Sequence, residues 1–363
     1  MKAFLTKSIA FLLVFGLVCE LFFRVVLPAR ESPLVRQDPV TGLRQFDPDG
    51  PRDGLFTSGR LAHQQSRWHI NAQGWNSDVD YVPDTARDTP AIVITGDSQI
   101  EGMYVDPRDH LIQRVEALSD HRVAGYSMAG SGYKLGEYVR LAAYLDRMGI
   151  RPSVLVLYIN PGDFWRGIKN LAGRTGLAPR IAINADGSGH LVPGGVHPVS
   201  RIRRLFRHSA VVRYVVFNAR LNPFAQGPAD LAMNQSAVDP EHDAAENPIY
   251  AHAFSFMVKS IGEVLPDTKL LFVVDADRHT IMAGGHPTPI PTSAVVKAGC
   301  ARLGCRHLDL TAPFIAAWRK DAKPLHFDHN PHWTAYTHAV AAQAVFDTLE
   351  NTGWMPSSGH SRR

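Results

Sequence analysis

Cysteine is scarce in this chain: three in 363 residues, at Cys19, Cys300 and Cys305. That excludes a disulfide-built scaffold, and neither the count nor the spacing suggests zinc. Cys19 lies in an apolar stretch, so Cys300 and Cys305 remain, as a bridge in an oxidising compartment or as two buried thiols. Net charge is also small, +4 from 38 basic and 34 acidic residues, which removes the electrostatic reason to expect a nucleic acid partner. There is no internal repeat and no low-complexity tract. What is present is ordinary globular composition, 45% hydrophobic and 20% charged. The 29 glycines and 25 prolines fit long structured loops in one large or two modest domains.

The N-terminus sets the address. Lys2 and Lys7 precede an apolar run from Ser8 to Leu27, about long enough to cross a ~30 Å hydrocarbon core. Glu20 and Arg24 interrupt it at i,i+4 spacing and can pair on one helix face near the outer interface. Leu27-Pro28-Ala29 is a poor signal-peptidase site and Leu17-Val18-Cys19 a poor lipoprotein box. An uncleaved anchor over residues 1–29 is therefore expected ahead of a cleaved signal. Positive charge flanks both ends and favours N-inside only weakly. Residues 30–66, rich in Pro, Asp, Gly and Arg, read as a polar tether.

A domain over 67–352 follows, with a flexible tail at 353–363. Trp68 to Trp75 reads as a short strand and turn. The apolar run at Ala91–Thr95, and the segments Arg122–Met128, Ser153–Ile159, Lys269–Asp275 and Cys305–Leu310, read as strands. Helical patterns separate or follow them at Pro107–Asp120, Leu135–Met148, Tyr250–Val264, Ser293–Leu303 and Thr334–Leu349. This alternation implies right-handed crossovers and a mostly parallel five-stranded sheet. The rhythm breaks between about 165 and 248, an insertion with a hairpin at Arg180–Val192 and a basic, apolar helix at Leu205–Leu221. It packs on the sheet, caps the site, or rests on the membrane through Arg201, Arg203, Arg204 and Arg207.

Chemistry concentrates where strands end. Gly96-Asp97-Ser98 with Gly102 follows the Ala91–Thr95 strand, and open α/β sheets bind ligands at the carboxyl ends of their strands. A serine there is a candidate nucleophile if a base lies within ~2.6–3.2 Å and is itself oriented by a partner. His332-Trp333, just before the last helix, offers the base.

These residues resemble the SGNH (GDSL-type) hydrolases, and the anchor resembles their membrane-bound bacterial branch, associated with esterase and polysaccharide O-acetyl chemistry. The resemblance implies a flavodoxin-like three-layer α/β/α fold with an inserted subregion and an N-terminal transmembrane helix. It implies a catalytic set of Ser98, His332 and Asp328, and an oxyanion hole from Ser98, Gly132 and Asn160. Three departures stand out. Gly162 takes the place of the third block's asparagine, Asn160 lies two residues earlier, and Asp328 is four residues before His332 where two or three is usual. Asn330 is the alternative orienting residue, although an amide cannot stabilise an imidazolium as a carboxylate does. Gly130 is the second choice for the oxyanion glycine. Asp163 and Asp275, at strand ends, are lesser candidates, and Asp97 reads as a turn residue. No cofactor and no metal are expected. The expected partners are an ester or glycan substrate and the membrane, with the catalytic domain periplasmic on a single-pass inner-membrane anchor.

Each feature has a plainer reading. Gly-Asp-Ser is a common turn. His326, His329, His332 and His338 can be a solvated loop, packing residues or a metal site. Two other functions therefore stand beside the serine hydrolase or acyltransferase: a non-catalytic carbohydrate-binding or scaffold module on a degraded fold, and a metal-dependent hydrolase.

Overall fold

The structure is a computed structural model describing residues 2–171, 178–195, 207–219, 221 and 244–356. It opens with a helix over Lys2–Val25, 24 residues with no buried side chain. At 1.5 Å per residue this is about 36 Å, longer than the ~30 Å bilayer core. Glu20 and Arg24 pair at 2.6 Å, as their spacing predicts. The Glu20 carboxylate also accepts from the Ser209 hydroxyl and the amides of Ala210 and Val211, at 2.8 to 3.2 Å. It thereby caps the short helix Ala210–Arg213, and Phe23 stacks on Tyr214 with ring centroids 4.1 Å apart.

Residues 30–66 differ from the expected tether. They form two antiparallel hairpins, β1 (Val35–Gln37) with β2 (Arg44–Phe46), and β3 (Asp53–Ser58) with β4 (Gln64–His69). Their polar side chains are what misleads in the sequence, because those groups are partnered inside the fold. Gln64 donates to the Tyr104 carbonyl, the Ser66 hydroxyl to the Met103 carbonyl, and Arg147 pairs with buried Asp38. Phe56, Trp68 and Ile70 make a small core with Met103.

The expected sheet is present: β5 (Ala91–Thr95), β6 (Ala124–Ser127), β7 (Val154–Ile159), β10 (Lys269–Val274) and β11 (Arg306–Asp309), all parallel, in the order β11-β10-β7-β5-β6. Counting only these five, the order is 2-1-3-4-5, the flavodoxin-like arrangement. Both faces are covered, which is why the central strands β5, β7 and β10 read as continuous apolar runs. Ala91, Val93, Leu155, Leu157, Phe272 and Val274 face a core with the helices Leu135–Arg147, Pro248–Val264 and Pro291–Leu303. Ile92, Ile94, Val154, Val156, Leu271 and Val273 face the opposite core, with the helices Leu111–Leu118 and Ala335–Asn351.

In the insertion, β8 (Arg180–Ile183) and β9 (Gly189–Val192) form the expected hairpin around Asp186-Gly187. The helix expected at Leu205–Leu221 is shorter, a turn at Ala210–Arg213 running into a wider π turn at Tyr214–Asn218. Arg201, Arg203 and Arg204 lie outside the described residues; Arg207 donates to the carbonyls of Ser32 and Pro33. Cys300 and Cys305 are joined as a disulfide between the end of a helix and the start of β11. The sequence reading passes over a helix at Thr311–Asp321 and a hairpin of β12 (His326–Phe327) with β13 (Asn330–Trp333).

Candidate active site

The site grows from the end of β5, where the strand order reverses and an α/β sheet opens a crevice. Asp97 accepts a hydrogen bond from the Gln99 amide at 2.9 Å and caps a one-turn helix that starts at Ser98. Gly102 ends that helix at φ +69°, where a Cβ would also meet His110 Nε2 at 2.4 Å. A capped start and a glycine stop hold Ser98 at the sheet's carboxyl edge.

The β12–β13 hairpin brings His332, the expected base, from the far end of the chain. His332 Nε2 lies 2.9 Å from Ser98 Oγ. Asn330 Oδ1 accepts from the backbone N–H of His332 at 2.9 Å and faces its Nδ1 at 3.1 Å. Because the backbone group is necessarily a donor, Oδ1 is fixed as the acceptor and Nδ1 must carry the imidazole proton. That leaves the Nε2 lone pair facing the serine hydroxyl, the tautomer a general base needs. Asn330 is held in turn by donating to Gln64 Oε1 at 3.1 Å. Tyr104 stacks on the imidazole, centroids 3.8 Å apart and planes 15° from parallel. Burial, with Arg278 and Arg30 adding positive charge, lowers the His332 pKa to about 3. The imidazole is thus neutral across the neutral pH range.

Asp328, the expected orienting carboxylate, is exposed in the hairpin turn and makes no hydrogen bond to the imidazole. Asp328 sits in the two-residue turn between the strands, while Asn330, paired with Phe327 at the start of β13, is the residue that faces the ring. The other histidines separate as well. His326 faces His279 at 3.3 Å, His329 faces His63 at 3.2 Å, and buried His338 accepts from the Leu111 amide at 3.2 Å. Among the described residues no three His, Cys, Asp or Glu side chains converge as a metal site.

The expected oxyanion groups lie on the two neighbouring loops. Gly132 follows β6 at φ +78°, a left-handed turn with only Arg44 near the position of a Cβ, at 3.7 Å. Gly130, on the same loop, donates to the Gly96 carbonyl at 3.2 Å, which ties this loop to the serine's own. Asn160 follows β7, and its Nδ2 donates to Asp97 Oδ2 at 2.6 Å, using one of its two amide hydrogens. Asp163 is fully buried, accepts from the Asn160 amide at 2.8 Å and pairs with Lys134. Burial raises its carboxyl to about 6 against the pull of Lys134. Its contacts are those of a loop brace.

Several residues around the site carry no sequence signal, because their role exists only once distant segments meet. Gln99 donates to the Pro331 carbonyl at 3.1 Å and accepts from the Trp333 amide at 2.8 Å, bracketing His332. Arg278 donates to the same carbonyl at 2.7 Å and to Asp275 at 2.9 Å, and Asp275 also accepts from the Tyr158 hydroxyl at 2.7 Å. Asp275 therefore acts through Arg278 on the hairpin. Glu101 accepts from the Ser131 amide at 3.0 Å and from its hydroxyl, while Arg44 donates to the Ser131 carbonyl. This grip fixes the peptide leading into Gly132. Gln99→Ala removes both clamps on β13, and kcat for an aryl acetate is expected to fall by roughly 10²-fold, the usual cost of a base misplaced by about 1 Å. Unchanged kcat in folded Gln99→Ala protein would show that Arg278 and the hairpin's own pairing hold His332 without Gln99.

No family model and no curated protein matches the chain. Solved structures to which it is similar include a GDSL-like lipase from Parabacteroides merdae, 13% identical over 74% of this chain and 97% of that one, with TM-score 0.41. A carbohydrate esterase family 2 enzyme with a carbohydrate-binding domain, from Corynascus thermopiles (Myceliophthora fergusii), is 13% identical over 76% and 70%, with TM-score 0.39. The periplasmic domain of a lipopolysaccharide acetyltransferase from Salmonella ser. Paratyphi A is 10% identical over 73% and 84%, with TM-score 0.35. Likenesses this distant say nothing about chemistry, which has to be read from the site itself.

Proposed function

We propose that the protein is a membrane-anchored serine esterase or O-acyltransferase of the SGNH kind, acting on an ester of a cell-envelope glycan outside the cytoplasm. The observation that carries the reading is the 2.9 Å contact between His332 Nε2 and Ser98 Oγ, in the tautomer that Asn330 imposes. Ser98 Oγ attacks the ester carbonyl while its proton passes to His332 Nε2. The tetrahedral oxyanion is met by the N–H groups of Ser98 and Gly132 and the second amide hydrogen of Asn160. Collapse transfers the proton from His332 to the departing alkoxide and leaves an acyl-Ser98 ester. Water or a sugar hydroxyl then attacks that ester, with His332 again as base. The 24-residue apolar helix supports the anchor, and the Cys300–Cys305 bridge supports an oxidising compartment. A fluorophosphonate probe is expected to label the protein, at Ser98 by peptide mapping. Labelling that survives Ser98→Ala overturns the reading.

A pH profile tests the base separately. The Nε2 lone pair is free wherever pH exceeds the folded pKa of about 3. The acid limb of kcat/KM on an aryl acetate is therefore expected well below the ordinary histidine value of about 6.5, with activity level from about pH 8 to about pH 5. A limb centred near 6.5 would place His332 in a more solvated setting. One feature favours a second reading, a carbohydrate-binding module without turnover: an amide stands where a carboxylate normally orients the histidine. That reading expects glycan binding with no aryl acetate hydrolysis.

A further inference from the structure

A cavity of about 610 Å³ lies beside the oxyanion loop, within the usual range for a small-ligand site. Its inner wall includes Gly130 and Ser131, and its outer walls come from the β1–β2 hairpin, the segment just after the N-terminal helix, and the turn at Phe217. Four arginines line it, from three separate segments: Arg30, Arg36, Arg44 and Arg207. Two of them reach the catalytic groups. Arg44 donates to the Ser131 carbonyl next to Gly132, and the charge of Arg30 acts on His332.

Three acids share the lining: Asp47, Glu101 and Glu137. Asp47 lies 3.9 Å from Arg36. The other two are buried, and their carboxyls are spent on the backbone, Glu101 on Ser131 and Glu137 on the Lys134 amide at 3.0 Å. Burial pushes both upward, Glu137 to about 7, which weakens them as counter-charges. Within the lining, four guanidinium groups thus face one carboxylate, Asp47, that is not spent on the backbone, in a space walled elsewhere by Phe46, Met103 and Phe217; Asp49, outside the lining, also reaches Arg36, at 3.6 Å. Cationic forks over apolar ring faces match a sugar ring that bears an acid: the forks bind its anionic oxygens and the rings cover its C–H face.

We propose that this cavity is a binding subsite for an anionic sugar residue, bearing a carboxylate or a phosphate, of the glycan whose ester or hydroxyl reacts at Ser98. Calling this residue part of the substrate rests on the esterase or acyltransferase reading; the anion site itself does not. The position of the cavity against the oxyanion loop puts the charged residue next to the reacting group, so charge selects the glycan and Ser98 acts on its neighbour.

The test uses full-length Ser98→Ala protein in detergent, which separates binding from turnover. Titration calorimetry compares trigalacturonate, its fully methyl-esterified form, and a glycerol-phosphate trimer. At least one of the two anions is expected to bind roughly tenfold or more tighter than the ester, and to weaken as salt rises from about 0.05 to about 0.5 M. Which anion binds identifies the acid. Arg36→Gln and Arg207→Gln, each added to Ser98→Ala, are expected to remove the advantage; Arg207 holds the Ser32 and Pro33 carbonyls, so the Arg36 variant covers the case in which loss of Arg207 disturbs folding. Equal binding of the methyl ester, no binding of either anion, or an advantage that survives in a folded arginine variant overturns the proposal. Fluorophosphonate labelling of the wild-type serine reports on the catalytic reading independently, so the two can fail separately.

Discussion

Replacing Ser98 with alanine is expected to lower kcat for an aryl acetate by roughly 10⁵- to 10⁶-fold, as when the nucleophile is removed from a serine–histidine unit that works as one device. Ser98 opens its helix just after the capping Asp97, with His332 2.9 Å away and bracketed by Gln99 through Pro331 and Trp333. His332→Ala is expected to cost about as much, and the double variant no more than either single one, because each substitution disables the same proton transfer. Additive losses in the double variant would mean that the two side chains act independently, which a 2.9 Å contact does not allow. The fold should survive both changes: Asp97 still caps the helix, and Trp333, packed against Tyr158 and Phe314, still anchors the hairpin.

The distance between legible and hidden features in this chain follows from how local each signal is. The three central strands, β5, β7 and β10, could be read because burial on both faces makes each a nearly uninterrupted apolar run, and the alternation of all five strands with helices dictates parallel pairing. Ser98 and His332 stood out as candidates because each sits at a break between such elements. Residues 30–66 could not be read: their hairpins are held by polar side chains whose partners lie elsewhere in the chain, as with Gln64 on the Tyr104 carbonyl and on Asn330. That Asn330 rather than Asp328 faces the ring was hidden for a related reason. Counting back from the histidine favours the carboxylate, but a two-residue hairpin decides which side chain points at the ring, and that hairpin has no strong pattern of its own. Gln99, Arg278 and Glu101 have meaning only once the ends of the chain are brought together.

Asn330 is where the largest gain, rather than loss, is expected. Its Oδ1 sets the tautomer of His332 but carries no charge to offset the imidazolium formed when Ser98 attacks. The imidazole is buried, with Arg278 and Arg30 nearby, and its pKa of about 3 means the protonated form is strongly disfavoured. Asn330→Asp places a carboxylate at the same distance. An opposite charge there favours the protonated ring, so the pKa rises and the acid limb of kcat/KM moves up toward about 6.5. The converse change in a serine protease costs about 10⁴-fold, much of it from a wrong tautomer. Here the tautomer is already right, so only the electrostatic part is recovered, and kcat is expected to rise by roughly 10- to 100-fold. Gln64 opposes the gain: its Oε1 now accepts from Asn330, and it must turn its amide toward the new carboxylate, giving up the bond to the Tyr104 carbonyl, at a cost of about 1 kcal/mol. Asn330→Ala leaves Nδ1 without its acceptor and the ring free to change tautomer, and is expected to lower kcat by roughly 10²- to 10⁴-fold. The two variants together separate orientation from charge. If Asn330→Asp leaves both kcat and the acid limb where they were, the carboxylate does not reach the ring and the orienting role belongs to another group; if it raises the limb without raising kcat, proton transfer to His332 is not what limits the reaction.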